Sequence, residues 1–153
     1  PLVVLLDNIE DPQNLGAIIR SMGSLGRFSL ILPTHDSVSV TEAVLRVASG
    51  GENHVPIAMV ANINKALKEA KDAGYTIMGT VTQDGTSIYD LELPPRIGLV
   101  IGGEQKGIRP VILEKLDIKV TIPMLVNTMS LNVASATALF CYEIIRQNHQ
   151  RKA

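Results

Sequence analysis

Hydrophobic positions along the chain fall into short unbroken runs separated by amphipathic stretches. LVVLL (2–6) has the length and continuity of a strand buried on both faces, and FSLILP (28–33), VPIAMV (55–60), YTIMGTV (75–81), IGLVIG (97–102) and DIKVTIP (117–123) also read as strands. The segment from about Pro12 predicts a helix with Asp11 as its N-cap and Pro12 at its first position, ended by Gly23 and Gly26. TEAVLRVAS (41–49) predicts a helix with Thr41 near its cap, and INKALKEAKDAG (63–74) one with a glycine stop. RPVILEKL (109–116) predicts a short helix and SLNVASATALFCYEIIRQNHQ (130–150) a long final one. The polar loop before Ile97 holds a short extended piece at SIYDL (87–91).

Strands alternating with helices define an α/β domain with a mostly parallel sheet and helices on both faces. No repeat, low-complexity segment or interior linker divides the chain, so residues 1–153 are expected to form one domain. Ligands of open α/β sheets bind beyond the carboxyl ends of the strands. Four polar loops fall there: NIEDPQN (8–14), GTVTQDG (79–85), IGGEQKGI (101–108) and IPMLVNTMSLN (122–132).

Composition narrows the classes. Hydrophobic residues make up 46% and mean hydropathy is +0.22, enough for a sizeable core and not the signature of disorder. Aromatics are 3% with no Trp, so the core is aliphatic and an RNA-binding surface of stacked rings is not expected. A net charge of −1 leaves nucleic-acid binding to a local patch, a dimer-built groove or a separate domain. The single cysteine, Cys141, excludes an intrachain disulfide and points to the cytoplasm. No stretch has transmembrane length or a signal-peptide pattern. Pro1 in place of an initiator Met is the mark expected of a fragment of something longer.

GGEQKGI (102–108) lacks the GK[ST] of a phosphate-binding P-loop. It also lacks the spacing and position of a dinucleotide fingerprint, which argues against a nicotinamide-dependent oxidoreductase. It reads as a tight turn, or as backbone that approaches a ligand with Glu104 at the strand's end. Ser130 reads as the cap of the final helix, which puts Asn132 in its first turn. His35, His54 and His149 have no ligand spacing, so no metal site is expected. His54, after Glu52 and Asn53, reads as a surface residue. Asn14 alone is a turn or cap residue, and Arg20 alone a surface cation or ion-pair partner.

Taken together, NLGAIIRS (14–21), LVIGGEQKGI (99–108) and IPM…SLNVASATALF (122–140) resemble the three signature motifs of the SpoU, or TrmH-like, branch of the SPOUT RNA methyltransferases. VASGGENHVPI (47–57) is similar to the large-subunit rRNA guanosine branch. The resemblance implies a Rossmann-like α/β fold with a C-terminal deep trefoil knot, a homodimer with the active site near its interface, and methyl transfer from S-adenosylmethionine to a ribose 2'-hydroxyl in RNA. It implies Asn14, Arg20, Glu104, Ser130 and Asn132 as catalytic residues. Cofactor contacts would come largely from the backbone at Thr80, Gly102, Gly103, Ile122, Met124 and Leu131. Its alternatives are a tRNA ribose methyltransferase or a catalytically inactive RNA-binding domain of this type. Val126 and Met129 depart from the motif, which commonly has Gly and an acidic or polar residue there. Val cannot readily adopt the positive φ open to Gly, so a different loop geometry is expected. A guanidinium, with a pKa above ~12, is a poor base. Arg20 is expected either to be transiently neutral in a dry, ligand-filled site or, as physical grounds favour, to stay cationic, hold an adjacent phosphate and stabilise a developing alkoxide while the proton leaves to a phosphate oxygen or water.

Overall fold

The structure is a computed structural model that describes residues 2–153. Its element order is β1 (Leu2–Asp7), α1 (Pro12–Leu25), β2 (Phe28–Pro33), α2 (Glu42–Ala48), β3 (Ile57–Val60), α3 (Ile63–Asp72), β4 (Thr76–Thr80), β5 (Thr86–Ser87), β6 (Ile97–Gly102), α4 (Pro110–Leu113), β7 (Ile118–Thr121) and α5 (Val133–Gln150). The seven strands form one sheet in the order β3-β2-β1-β6-β4-β7-β5, and every strand pairing is parallel. This is an α/β, Rossmann-like arrangement. Strands β1 and β6 lie side by side at its centre, in register from Leu2–Ile97 to Asp7–Gly102. Their carboxyl ends therefore reach the same edge of the sheet together.

Helices cover both faces. Leu15, Ile18, Ile19 and Met22 of α1, Val44 of α2, and Phe140, Cys141 and Ile144 of α5 are buried in one core with one face of the strands. Ile63 and Leu67 of α3 and Ile112 of α4 are buried on the other. Burial on both faces explains why β1 and β6 read as unbroken apolar runs rather than alternating ones. Cys141 is fully buried, and burial pushes its thiol up to about 12. A thiolate reagent near neutral pH is expected to label it only after unfolding, with the denaturant midpoint of labelling matching that of the circular dichroism. Labelling of the native protein would contradict this packing.

Asp11 caps α1 through a 2.8 Å hydrogen bond from the Gln13 N–H, and Pro12 opens the helix, as expected. Gly23 does not end it. The helix runs on to Leu25, and Gly26 (φ 74) terminates it with its N–H on the Met22 carbonyl. Gly23 instead permits close packing, because a Cβ there would lie 2.8 Å from Gly51 Cα. The extended piece is only the two-residue edge strand β5 (Thr86–Ser87), which begins one residue before SIYDL, while Ile88–Asp90 of that segment form a 3-10 turn. The helix expected at 109–116 is only the single turn α4, after which Lys115 N–H and Leu116 N–H close tighter turns on the Ile112 and Leu113 carbonyls.

The final helix begins at Val133, with Asn132 as its cap, so the assignment of the cap to Ser130 is corrected. The Asn132 Oδ1 accepts from Ala134 N at 2.9 Å and Ser135 N at 3.3 Å. Asn and Ser cap about equally well. The choice here is tertiary, since Asn132 also donates through Nδ2 to Asn14 Oδ1 at 2.9 Å.

Candidate active site

The carboxyl ends of β1 and β6 are tied to each other by hydrogen bonds from backbone and side chain. Gly103 N–H donates to the Asp7 carbonyl at 2.9 Å, and Gly107 N–H returns to the Gly103 carbonyl at 2.8 Å. The side-chain amide of Asn8, itself at φ 62, donates to the Gly107 carbonyl at 3.3 Å. A Cβ at Gly102 would lie 2.4 Å from Gly107 C and Ile108 N, and one at Gly103 2.1 Å from the Asn8 carbonyl oxygen. The GGEQKGI stretch is thus a backbone knuckle folded on itself and on β1. Only glycine fits at its first two positions.

Asp7 fastens this knuckle. Its buried carboxylate accepts from Arg109 N at 2.9 Å and from Arg109 Nε at 2.9 Å. Sequence reasoning missed this pair, although an acidic residue closing an apolar strand run was a visible signal. The Asp7 side chain is 2% exposed and that of Arg109 44% exposed. Removing Arg109 strands a buried charge. Arg109→Ala is expected to lower stability by about 1.5 kcal/mol, the low end for a hydrogen bond to a charged group, because the Arg109 side chain is partly in solvent and its backbone N–H remains on Asp7. Urea unfolding checks it as a lower midpoint at unchanged slope.

Beside the knuckle opens a cavity of about 990 Å³. Thr80, Gly102, Gly103, Ile122, Met124 and Leu131, the six positions marked as cofactor contacts, all line it, as do Glu104 and Ser130. Asn14, Arg20 and Asn132 do not. Three of the five polar motif residues come together at its rim. Asn14 and Asn132 are paired, and Glu104 Oε1 accepts the Val133 N–H at 3.0 Å. Glu104 therefore adds a carboxylate to the N-terminus of α5, where the helix dipole favours negative charge. Ser130 is exposed on the loop between β7 and α5. Val126 stands outside the left-handed region, whose non-glycine occupants are Asn8, Arg27, Asp36, Ser49 and Asp84. The loop instead closes with Met129 N–H on the Val126 carbonyl at 3.1 Å, so it needs no glycine at 126.

Arg20 is apart from this group. It lies six residues along α1 from Asn14, about 9 Å further down the axis. It is exposed, and its guanidinium has no hydrogen bond or ion pair among the described residues. Glu104 makes no hydrogen bond or ion pair with Arg20 among the described residues; its Oε1 accepts the Val133 N–H instead. Among the described residues no group of three or more His, Cys, Asp or Glu is placed to hold a metal ion. No described helix is long and apolar enough to cross a membrane.

A parallel sheet with a glycine-bearing, backbone-walled cavity at its carboxyl edge, and a polar cluster from three separate motifs, defines a class. Residues 1–142 match the family model described as the SpoU rRNA Methylase family, and the chain belongs to that family. Among individual relatives, a Staphylococcus epidermidis protein classed in the TrmH family of tRNA/rRNA methyltransferases is 38% identical over 148 residues, covering 97% of this chain and 59% of its own. The SpoU methyltransferase AviRb from Streptomyces viridochromogenes, solved in complex with AdoMet, superposes with a TM-score of 0.86 at 29% identity, over 95% of this chain and 57% of that one. A structure described as giving insight into 2-OH methylation of C/U34 on tRNA has a TM-score of 0.86 at 25% identity, over 97% of both chains. The chain spans about three-fifths of the length of the Staphylococcus relative.

Proposed function

We propose that this chain is a catalytic domain that methylates a ribose 2'-hydroxyl of RNA with S-adenosylmethionine as donor. The cavity beside the Gly102–Gly103 knuckle carries this assignment. Its volume of about 990 Å³ is at the upper end of the size range of small-molecule sites. Gly102 and Gly103 keep side chains out of its wall, and Ile101, Ile122, Leu131 and Phe140 give it apolar surface. Such a wall suits an adenosyl group held by backbone hydrogen bonds, and AviRb, of the same fold, was solved with AdoMet. Thr80, Gly102, Gly103, Ile122, Met124 and Leu131 would hold the donor. When bound, it supplies a methyl group activated on a sulfonium, so the protein needs no His or Cys nucleophile.

What remains for the chain is positioning and charge. Asn14 and Asn132, fixed on each other, and Ser130 on the loop would hold the ribose. Glu104 would keep the start of α5 in place and with it the cavity wall. The Arg20 fork would hold an adjacent phosphate and stabilise the 2'-oxygen as its proton passes to a phosphate oxygen or water.

A homodimer fits the surface of α5. Leu139 and Tyr142 are exposed at 49% and 58% on its outer stripe, and Leu125, Val126 and Met129 are exposed on the adjoining loop. A second copy would cover this apolar strip and narrow the cavity mouth. The same ring of cavity and β7–α5 loop is where the deep trefoil knot implied by the motifs would lie. As in the sequence reading, the proposed setting is the cytoplasm.

The proposed RNA is ribosomal, a large-subunit guanosine, on the likeness of residues 47–57. Transfer RNA is the second candidate, favoured by the match over 97% of both chains with the structure tied to C/U34 methylation. Two measurements test the function. Calorimetry should show S-adenosylmethionine bound at one site per chain. Tritium from labelled donor should enter RNA as alkali-resistant dinucleotides, the product of 2'-O-methylation. Donor binding without transfer to any RNA would favour the inactive, RNA-binding alternative.

A further inference from the structure

The turn at Ser49–Asn53 is pressed against the middle of α1 at Arg20. A Cβ on Gly51 would lie 2.9 Å from Arg20 Cα and 2.9 Å from the Ile19 carbonyl oxygen. Gly23, less than one turn on, meets the Gly51 backbone at 2.8 Å by the same measure. Ser49 and Gly50 take left-handed conformations, φ 50 and 88, and the His54 and Asn53 N–H groups close the turn on the Gly51 and Gly50 carbonyls. This backbone-to-backbone contact tolerates no side chain at Gly51, and it keeps residue 52 beside Arg20.

Residue 52 is a glutamate. Its Oε2 is buried and accepts no hydrogen bond among the described residues. A buried carboxylate oxygen without a donor is uncommon, because its lost hydration is not offset. Arg20, on the adjoining backbone, carries five N–H donors with no protein partner among the described residues. An acceptor without a donor and a donor without an acceptor thus sit on adjoining backbone, held there by the Gly51 and Gly23 contacts.

We infer that Glu52 is the positioning residue for Arg20. This rests on the assignment of Arg20 to the RNA ribose-phosphate. On RNA binding, Arg20 turns by a change of rotamer and gives one edge of its guanidinium to the Glu52 carboxylate. The other edge stays free for phosphate and the 2'-oxygen. An otherwise mobile side chain is thereby fixed in the orientation the transition state requires.

The test uses the full chain, S-adenosylmethionine and total RNA from cells lacking the gene as acceptor. Glu52→Gln keeps the shape and removes the charge. It is expected to lower kcat about tenfold, the difference between a charge-assisted and a neutral hydrogen bond, with a smaller change in KM for RNA. Glu52→Asp should recover part of that loss. In an Arg20→Ala background Glu52→Gln should have no further effect, and where that background falls below detection, Arg20→Lys serves and most of the effect should vanish. A purely structural Glu52 would instead lower activity by the same factor in every background and would lower the thermal midpoint. Equal factors, or wild-type kcat in Glu52→Gln while Arg20→Ala is impaired, overturn the inference alone. Full activity in Arg20→Ala overturns the assignment of Arg20 itself.

Discussion

Arg20→Lys is expected to lower the rate of methyl transfer by about 10²-fold, the effect of losing one well-aimed donor set at a developing oxyanion. Lysine keeps the charge but not the planar fork, so it cannot hold phosphate and 2'-oxygen at once. Stability should not change, because Arg20 is exposed and makes no side-chain bond to the described residues. Donor affinity should not change either, because Arg20 does not line the cavity. The expected pattern is a fall in kcat at constant donor Kd and constant thermal midpoint. Full activity in Arg20→Lys would show that a point charge suffices and that bidentate contact is not required.

Gly103→Ala should act through the opposite combination. The added methyl would meet the Asn8 carbonyl oxygen at 2.1 Å, and the Gly103 N–H is tied to Asp7 at 2.9 Å, so neither strand end can yield freely. A loss on the order of 3 kcal/mol is expected from overpacking against backbone. Donor binding should be lost with it, since the knuckle forms the cavity wall. Gly107→Ala is the control. Nothing lies within 4 Å of its Cβ position, and only its φ of 61 resists the substitution. That conformation costs an alanine about 1 kcal/mol, so Gly107→Ala should retain donor binding. Differential scanning calorimetry and donor titration of both variants separate steric blockage from backbone strain. Similar effects at Gly103 and Gly107 would contradict the knuckle geometry.

The order of strands and helices was legible because burial on both faces leaves an unbroken apolar run, as in LVVLL and IGLVIG. Caps with a local mechanism were legible too, as at Asp11 and Thr41. Decisions made by distant partners were not. Asn132 rather than Ser130 caps α5 because Asn14, 118 residues away in sequence, takes its side-chain N–H. Gly23 reads as a helix stop, yet it is a packing contact for Gly51. The pairing of buried Asp7 with Arg109, 102 residues apart, leaves no periodic trace.

The site divides in the same way. Glycine-bearing loops at strand ends were visible, and they do line one cavity. The separation of Arg20 from Asn14, Asn132 and Glu104 was not, because a shared motif says nothing of which helix face each residue takes. Arg20 does not line the cavity, so its proposed action on the same ribose is read out only in the RNA product. That makes the RNA product the central test.

Ribose methylation should be mapped across ribosomal and transfer RNA from cells with and without the gene, and again after return of the wild-type or Arg20→Ala chain. One 2'-O-methylated position, in ribosomal RNA, is expected to disappear with the gene, return with the wild type and stay absent with Arg20→Ala. Unchanged methylation at every ribose in both RNA classes would contradict this.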